Sequence, residues 1–202
     1  MSKVRIAVLI SGGGTNLQSI LDAVKTGELD LKVACVVSNR KQAFGLNRAE
    51  AAGVPAYYIG IGNYPDEIER ENALLNLLVS EKIDLVVLAG YLNILPSSVI
   101  AAFKDRIINI HPSLIPRHSG KGFYGMKVHE SVISSGDVVT GVTVHYVDEG
   151  VDTGRVIDQV EIQVQESDTA ETLSKRVLAY EHELLVKVLK DLINNFGGGY
   201  ES

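Results

Sequence analysis

The sequence of 202 residues contains a single cysteine. One thiol excludes a disulfide within the chain and a zinc site built from several thiolates. Cys35 stands inside the apolar run LKVACVVS, where we expect it to be a small hydrophobic core side chain. Stability must therefore come from a hydrophobic core, and a chain of this length can bury one as a single domain.

Basic residues are outnumbered, with 19 Lys and Arg against 25 Asp and Glu and a net charge of −6. Binding of nucleic acid requires an excess of Lys and Arg against the phosphates, so nucleic acid is not expected as a partner. No apolar run approaches the roughly 20 residues that span a membrane. The start MSKVRIAVLISGGG is too brief for the apolar part of a signal peptide and is typical of a first β-strand. We expect a cytoplasmic protein without a membrane partner.

Apolar runs alternate with amphipathic stretches in the first half of the chain. This alternation predicts a mostly parallel sheet with helical crossovers. The predicted strands are 4–10, 31–38, 54–59, 83–90 and 105–110, and the predicted helices are 16–25, 44–52, 66–80 and 97–103.

The second half has a different pattern. Residues 137–147 and 155–164 alternate apolar and polar side chains across a short glycine-containing connection, which predicts an antiparallel hairpin at the edge of the sheet. A long final helix is expected to begin near Asp168, which with Glu171 resembles a capping box. We predict one α/β domain over residues 1–193 and a flexible tail over 194–202.

The segment SGGGTN, residues 11–16, follows the first predicted strand and opens the first helix. Such a loop presents free backbone N–H groups and the positive end of a helix dipole. The third glycine of the dinucleotide fingerprint is missing, because Leu17 stands in its place, and no Gly-Lys-Ser/Thr follows. Two interpretations remain open: a tight turn capped by Thr15 or Asn16, or a monophosphate site formed by Gly14, Thr15 and Asn16.

Two polar side chains interrupt the apolar run IINIHPSLIP. Asn109 and His111 are two residues apart, so they lie on the same side of a strand, and Pro112 favours an extended His111. They could direct hydrogen-bond donors at one carbonyl oxygen, as acyl transfer requires. Alternatively, Asn109 caps a turn and His111 is an interior histidine. Four polar or glycine-rich segments share the carboxyl edge of the predicted sheet, where ligands bind: 11–16, 38–39, 90–93 and 109–111.

Three further carboxylates allow more than one interpretation. The turn VDEGVDTG contains Asp148 and Asp152 and could be a solvated hairpin loop or a weak match to a calcium loop. Alternatively Asp152 reaches His111, where a carboxylate would raise the histidine pKa and favour imidazolium. Glu181 shares a helix face with apolar residues, so it should pair with an arginine or meet an amine-bearing ligand.

Taken together, these segments resemble the phosphoribosylglycinamide formyltransferases, a family of folate-dependent enzymes of purine synthesis. The similarity covers nearly the whole chain. The matching segments, in order, are VLISGGGTNLQSI, VVSNR, AFGLNRA, VVLAGYLNIL, INIHPSLIP, GVTVHYVDEGVDTGRVI and YEHELL. The resemblance implies a single Rossmann-like formyltransferase domain with a mostly parallel sheet, an antiparallel C-terminal hairpin and a long C-terminal helix.

The resemblance also implies roles for individual residues. Asn109, His111 and Asp152 match the catalytic trio of the family. The residues that match the ribonucleotide-binding positions are Gly14, Thr15, Asn16 and Glu181. The residues that match the folate pocket are Leu92, Asn93, Ile94, Leu95, Asn109, Val147, Asp148 and Asp152.

The implied reaction transfers the formyl group of 10-formyltetrahydrofolate, a cosubstrate, to the amine of glycinamide ribonucleotide, with no metal required. The expected partners are these two small molecules, and the protein is expected to be a monomer or homodimer. Asn93 stands where many members have arginine, so contacts there are expected to differ. The loop 119–125 is longer than in some members, and its Lys121 could face either the phosphate or the glutamate tail of the folate.

Overall fold

A computed structural model describes residues 3–197 of the chain. Seven strands and six helices follow one another within these residues. The strands are β1 (Val4–Ile10), β2 (Leu31–Ser38), β3 (Ala56–Tyr58), β4 (Leu85–Leu88), β5 (Ile107–His111), β6 (Val139–Tyr146) and β7 (Val156–Gln163). The helices are α1 (Thr15–Thr26), α2 (Phe44–Ala51), α3 (Glu67–Ser80), α4 (Ser97–Ala102), α5 (Met126–Ser135) and α6 (Ala170–Gly197).

The strands form one mixed sheet in the order β3-β2-β1-β4-β5-β6-β7. All neighbours from β3 to β5 are parallel, whereas β6 is antiparallel to both β5 and β7. The predicted fold class, with its antiparallel hairpin at the sheet edge and a long last helix, is confirmed. Strand β5 therefore has a parallel neighbour on one side and an antiparallel neighbour on the other.

Helices cover both faces of the sheet, and each face has its own hydrophobic core. Alternate side chains of β1 point to opposite faces, so that Ile6, Val8 and Ile10 join one core and Ala7 and Leu9 join the other. The first core includes side chains of α1, α5 and α6, and the second includes side chains of α3 and α4. Cys35 lies fully buried in the second core, and burial raises its pKa to about 12, as expected of a structural thiol.

Two local predictions were wrong or incomplete. Helix α5 was not predicted, although Val128 and Val132 give it a buried face at helical spacing. The capping box of α6 is one residue further along than predicted, because Thr169 Oγ1 accepts from the Thr172 N–H at 3.2 Å and Thr172 Oγ1 accepts from the Thr169 N–H at 2.9 Å. Asp168 instead accepts from the Thr172 hydroxyl at 3.1 Å.

Helix α6 continues to Gly197, so the predicted boundary between domain and tail falls inside it. The rest of the predicted flexible tail, residues 198–202, lies outside the described residues. Within residues 3–197, no helix has both the length and the apolar character needed to cross a bilayer.

Candidate active site

A cavity of about 300 Å³ opens at the carboxyl edge of the sheet, beside the end of β5. The segments that follow β4, β5 and β6 form its walls. All residues predicted for the folate pocket and the catalytic trio line it: Leu92, Asn93, Ile94, Leu95, Asn109, His111, Val147, Asp148 and Asp152. Lys121 lines the same cavity, and it is the one Lys or Arg to do so among the described residues.

The contact between His111 and Asp152 is present in the structure. His111 Nδ1 lies 3.6 Å from Asp152 Oδ2, and both side chains are almost completely buried. Asn109 belongs to the same cluster, because its amide nitrogen lies 3.4 Å from Asp152 Oδ1. Residues separated by more than forty positions in the sequence thus meet in one polar group at the floor of the cavity.

His145, which sequence reasoning missed, completes this cluster. Its Nδ1 lies 2.8 Å from the Tyr146 carbonyl oxygen, which can only accept, so Nδ1 carries the proton. Its Nε2 lies 3.1 Å from the Asn109 amide nitrogen and 3.6 Å from Asp152 Oδ1. The signal is the antiparallel pairing of β5 with β6, which places His145 directly opposite Asn109. That register cannot be predicted from the sequence of either strand alone.

The protonation of His111 differs from the prediction. Burial lowers its pKa, and although Asp152 and the His118 carbonyl act in the opposite direction, the pKa stays below the ordinary value. Asp152 thus acts in the direction expected from the sequence, but the net shift is opposite because burial outweighs it. His111 Nε2 lies 2.9 Å from the His118 carbonyl oxygen, so the proton of the neutral ring is on Nε2. The lone pair of Nδ1 then faces Asp152 and the cavity.

Asp152 remains ionised despite its burial. Burial raises the pKa of its carboxyl, but the hydrogen bond from His145, the positive charge that His111 carries when protonated and the Gly120 N–H bring it below the usual value. The Gly120 N–H donates to Asp152 Oδ2 at 3.0 Å. Asp152 itself has a left-handed backbone with φ of 57°, an uncommon conformation for a residue other than glycine. The carboxylate is thus held by neighbours on both sides of the cavity.

The glycine loop leaves the start of α1 without a side-chain cap. Gly14 is the N-cap residue, so neither Thr15 nor Asn16 caps the helix as one interpretation expected. In the described part of the chain, the backbone N–H groups of residues 12–16 donate to no other backbone group. Gly14 has φ of 70°, and a Cβ there would lie 2.7 Å from the Gly45 Cα. The loop therefore combines a packing requirement for glycine with several free N–H donors at a helix N-terminus.

Glu181 pairs with an asparagine rather than with the arginine expected on structural grounds. The Asn16 amide donates to Glu181 Oε2 at 2.6 Å, and both residues are buried. Burial raises the pKa of Glu181 to about 7, although the bond from Asn16 acts in the opposite direction. Asn16 Oδ1 is buried without a hydrogen-bond partner. The pair lies at the N-terminus of α1, and Asn16 Oδ1 can still accept a hydrogen bond.

A chain of hydrogen bonds connects the glycine loop with the folate-pocket segment. The Leu92 N–H donates to Ser11 Oγ at 2.8 Å, and the Ser11 hydroxyl donates to Asn39 Oδ1 at 2.6 Å. The Asn39 amide then donates to Asn93 Oδ1 at 2.6 Å. Asn93 therefore links the segment that follows β4 to the end of β2.

The acidic turn is held by its own side chains. Asp148 Oδ1 accepts from the Gly150 N–H at 3.0 Å and from the Thr153 hydroxyl at 2.6 Å. Among residues 3–197, no group of three or more His, Cys, Asp or Glu side chains is arranged to hold a metal ion. These contacts shape the loop that carries Asp152 towards His111.

Comparisons with known proteins show the family to which the chain is similar. The family described as formyl transferase matches residues 4–189. The chain is 43% identical over 188 residues to a chloroplastic phosphoribosylglycinamide formyltransferase of Vigna unguiculata, covering 93% of this chain and 60% of that protein. It is 39% identical to phosphoribosylglycinamide formyltransferase of Haemophilus influenzae, covering 92% of this chain and 85% of that protein.

The fold of the chain is also similar to the folds of solved structures. The crystal structure of glycinamide ribonucleotide transformylase 1 from Symbiobacterium toebii has a TM-score of 0.89 and 40% sequence identity, covering 96% of this chain and 89% of that one. The chain thus spans most of the bacterial relatives but less than two thirds of the plant relative's length.

Proposed function

This chain belongs to the formyl transferase family, and we propose that it transfers the formyl group of 10-formyltetrahydrofolate to the amine of N1-(5-phospho-D-ribosyl)glycinamide in purine synthesis. One observation carries the proposal. Relatives named for this activity match almost the whole chain, and the cavity at the sheet edge brings together Asn109, His111 and Asp152. The location is proposed to be cytoplasmic and the protein a monomer or homodimer.

The two substrates are assigned to adjoining parts of the carboxyl edge. The pterin of the cosubstrate enters the cavity between Leu92–Leu95 and Val147–Asp152. The phosphate of the ribonucleotide binds the free N–H groups at Gly14, Thr15 and Asn16, because a helix N-terminus favours an anion. Glu181 contacts the glycinamide end, where a carboxyl with a pKa of about 7 can accept a hydrogen bond from the amine.

The reaction replaces one carbon–nitrogen bond by another. The neutral amine attacks the formyl carbon, and the carbonyl oxygen becomes the oxyanion of a tetrahedral intermediate. The bond from that carbon to the folate nitrogen then breaks, and the folate nitrogen takes up the proton that the amine loses. The Asn109 amide is positioned to donate to the oxyanion after giving up its long contact with Asp152.

In this scheme His111 accepts the proton of the amine, and Asp152 stabilises the charge that results. A neutral His111 with a free Nδ1 can accept the proton from the attacking amine, which a permanently charged imidazolium could not. Asp152, 3.6 Å from Nδ1, then stabilises the imidazolium that forms. The proton passes on to the folate nitrogen, directly or through an ordered water. Acid–base help of this kind is worth about 10²–10⁴-fold in rate.

The test is incubation of the protein with 10-formyltetrahydrofolate while tetrahydrofolate release is followed with and without glycinamide ribonucleotide. We expect release that depends on the ribonucleotide, together with one equivalent of its N-formyl product. Release at the same rate without the ribonucleotide would indicate a hydrolase instead. Binding of both compounds without turnover would indicate a non-catalytic module.

A further inference from the structure

His118 has two separate connections, one through its backbone and one through its side chain. Its carbonyl oxygen lies 2.9 Å from His111 Nε2. Its imidazole points away to a different group, with Nε2 2.6 Å from Asp137 Oδ2 and Nδ1 2.8 Å from Ser131 Oγ. Neither His118 nor Asp137 lines the cavity that holds His111.

The short segment that begins at His118 touches both members of the catalytic pair. His118 accepts from His111 through its carbonyl, and two residues later the Gly120 N–H donates to Asp152 Oδ2 at 3.0 Å. A displacement of residues 118–120 would therefore disturb the orientation of His111 and of Asp152 together. Neither catalytic side chain is given its orientation by hydrophobic packing alone.

This segment needs an anchor because its backbone is not in a relaxed conformation. His118 has a left-handed φ of 50°, and Gly120 has φ of 88°. A left-handed conformation is strained for a residue other than glycine and persists only where surrounding contacts hold it. The imidazole of His118 supplies those contacts, since 90% of its side-chain surface and that of Asp137 is buried.

Asp137 is a strong partner for this purpose. Its hydrogen bond from His118 is the main reason that the pKa of its carboxyl lies below the usual value. Its other oxygen accepts from the Arg117 guanidinium at 2.6 Å, but that side chain is 65% exposed. Because a carboxylate only accepts, the pairing places the His118 proton on Nε2 and fixes the orientation of the ring.

We propose that His118 and Asp137 form a clamp of positioning residues that, through the His118 carbonyl and the Gly120 N–H, sets the tautomer of His111 and the orientation of Asp152. The effect on kcat that we expect from the clamp rests on the proposed formyl transfer. It touches no substrate. Its effect is to hold the proton of His111 on Nε2, so that Nδ1 stays available towards the cavity.

The kinetic test compares three variants. Asp137→Ala removes the acceptor for His118, and we expect kcat to fall about 10- to 100-fold, the scale on which misplaced catalytic groups lose rate, while KM for each substrate changes much less. Asp137→Asn keeps an acceptor oxygen and is expected to recover most of the rate. Arg117→Ala removes the exposed partner of the same carboxylate and is expected to stay within about 2-fold of the natural protein.

A second readout does not depend on turnover. Nitrogen chemical shifts of the imidazoles, measured with ¹⁵N-histidine and assigned with a His111→Gln variant, report which ring nitrogen of His111 carries the proton. We expect Nε2–H in the natural protein and a mixed population in Asp137→Ala. Circular dichroism establishes that each variant is folded.

A folded Asp137→Ala protein with unchanged kcat and unchanged His111 shifts would overturn the clamp. So would an Asp137→Asn protein as slow as Asp137→Ala, since a clamp needs the acceptor and not the charge. If the natural protein transfers no formyl group, the proposed function fails, and the nitrogen shifts still decide whether the clamp exists.

Discussion

Asp152 contacts two histidines, an amide and a backbone N–H at once. Asn109 and Gly120 donate to it, and His111 Nδ1 faces it at 3.6 Å. Burial lowers the pKa of His111, although Asp152 acts in the opposite direction. At the residue scale the site therefore places a carboxylate beside a histidine whose affinity for a proton is reduced by burial.

We predict that Asp152→Asn and His111→Ala each lower kcat by at least about 10²-fold while KM changes far less, because both groups act after the substrates have bound. Steady-state kinetics with both substrates varied provides the measurement. Asp158→Asn is the matched control, since it removes a carboxylate of β7 that pairs with Lys187 of α6. A kcat near that of the natural protein in either site variant would refute the assigned roles.

The raised pKa of Glu181 predicts an effect on stability rather than on rate. Its pKa in the folded protein is about 7, against 4.5 for the free side chain, so the folded state binds the proton more tightly. The resulting stabilisation is fully present below pH 4.5 and is lost as the pH rises through 7. At about 1.4 kcal/mol per pKa unit, the difference amounts to roughly 3 kcal/mol.

We expect Glu181→Gln to remove this pH dependence, because the amide has a similar shape and does not titrate. Urea unfolding between pH 4.5 and 8 should show the free energy of unfolding of the natural protein falling relative to the variant as the pH rises. If the free energies of unfolding of the natural protein and of the variant differ by a constant amount over that pH range, the pKa of Glu181 is not raised by folding.

At the scale of elements, the glycine loop shows how close packing determines the position of a helix. The loop touches α2, where the Gly45 N–H donates to the Gly12 carbonyl at 3.1 Å. Gly14 combines a left-handed φ of 70° with a close approach to the Gly45 backbone, whereas Gly13 has open space around its Cα. The end of α1 is therefore held by a contact between two backbones.

We predict that Gly14→Ala lowers the free energy of unfolding by about 1–3 kcal/mol, since the new methyl group meets backbone atoms and the conformation is unfavourable for alanine. Gly13→Ala, with no atom within 4 Å of its new Cβ, should change it by less than about 0.5 kcal/mol. Chemical denaturation of the two variants beside the natural protein gives the comparison. Equal losses in both would contradict the packing explanation.

At the scale of the whole molecule, what could be predicted from the sequence depended on how local the signal was. Alternating apolar runs predicted the parallel half, the hairpin and the final helix. The convergence at the carboxyl edge followed from strand direction alone. The contact between Asn109 and His145 could not be predicted in this way, because it depends on the register between β5 and β6. The lowered pKa of His111 depends on burial by residues distant in the sequence, which no short segment of sequence reports.

The hydrogen bond between Asn16 and Glu181 joins residues 165 positions apart. A ribosome therefore makes the glycine loop well before the carboxyl that faces it. Neighbouring parallel strands from β1 to β5 can pair before that, whereas the proposed ribonucleotide site is incomplete until α6 has emerged and packed. A growing chain can thus pair its parallel strands before it can form the proposed ribonucleotide site.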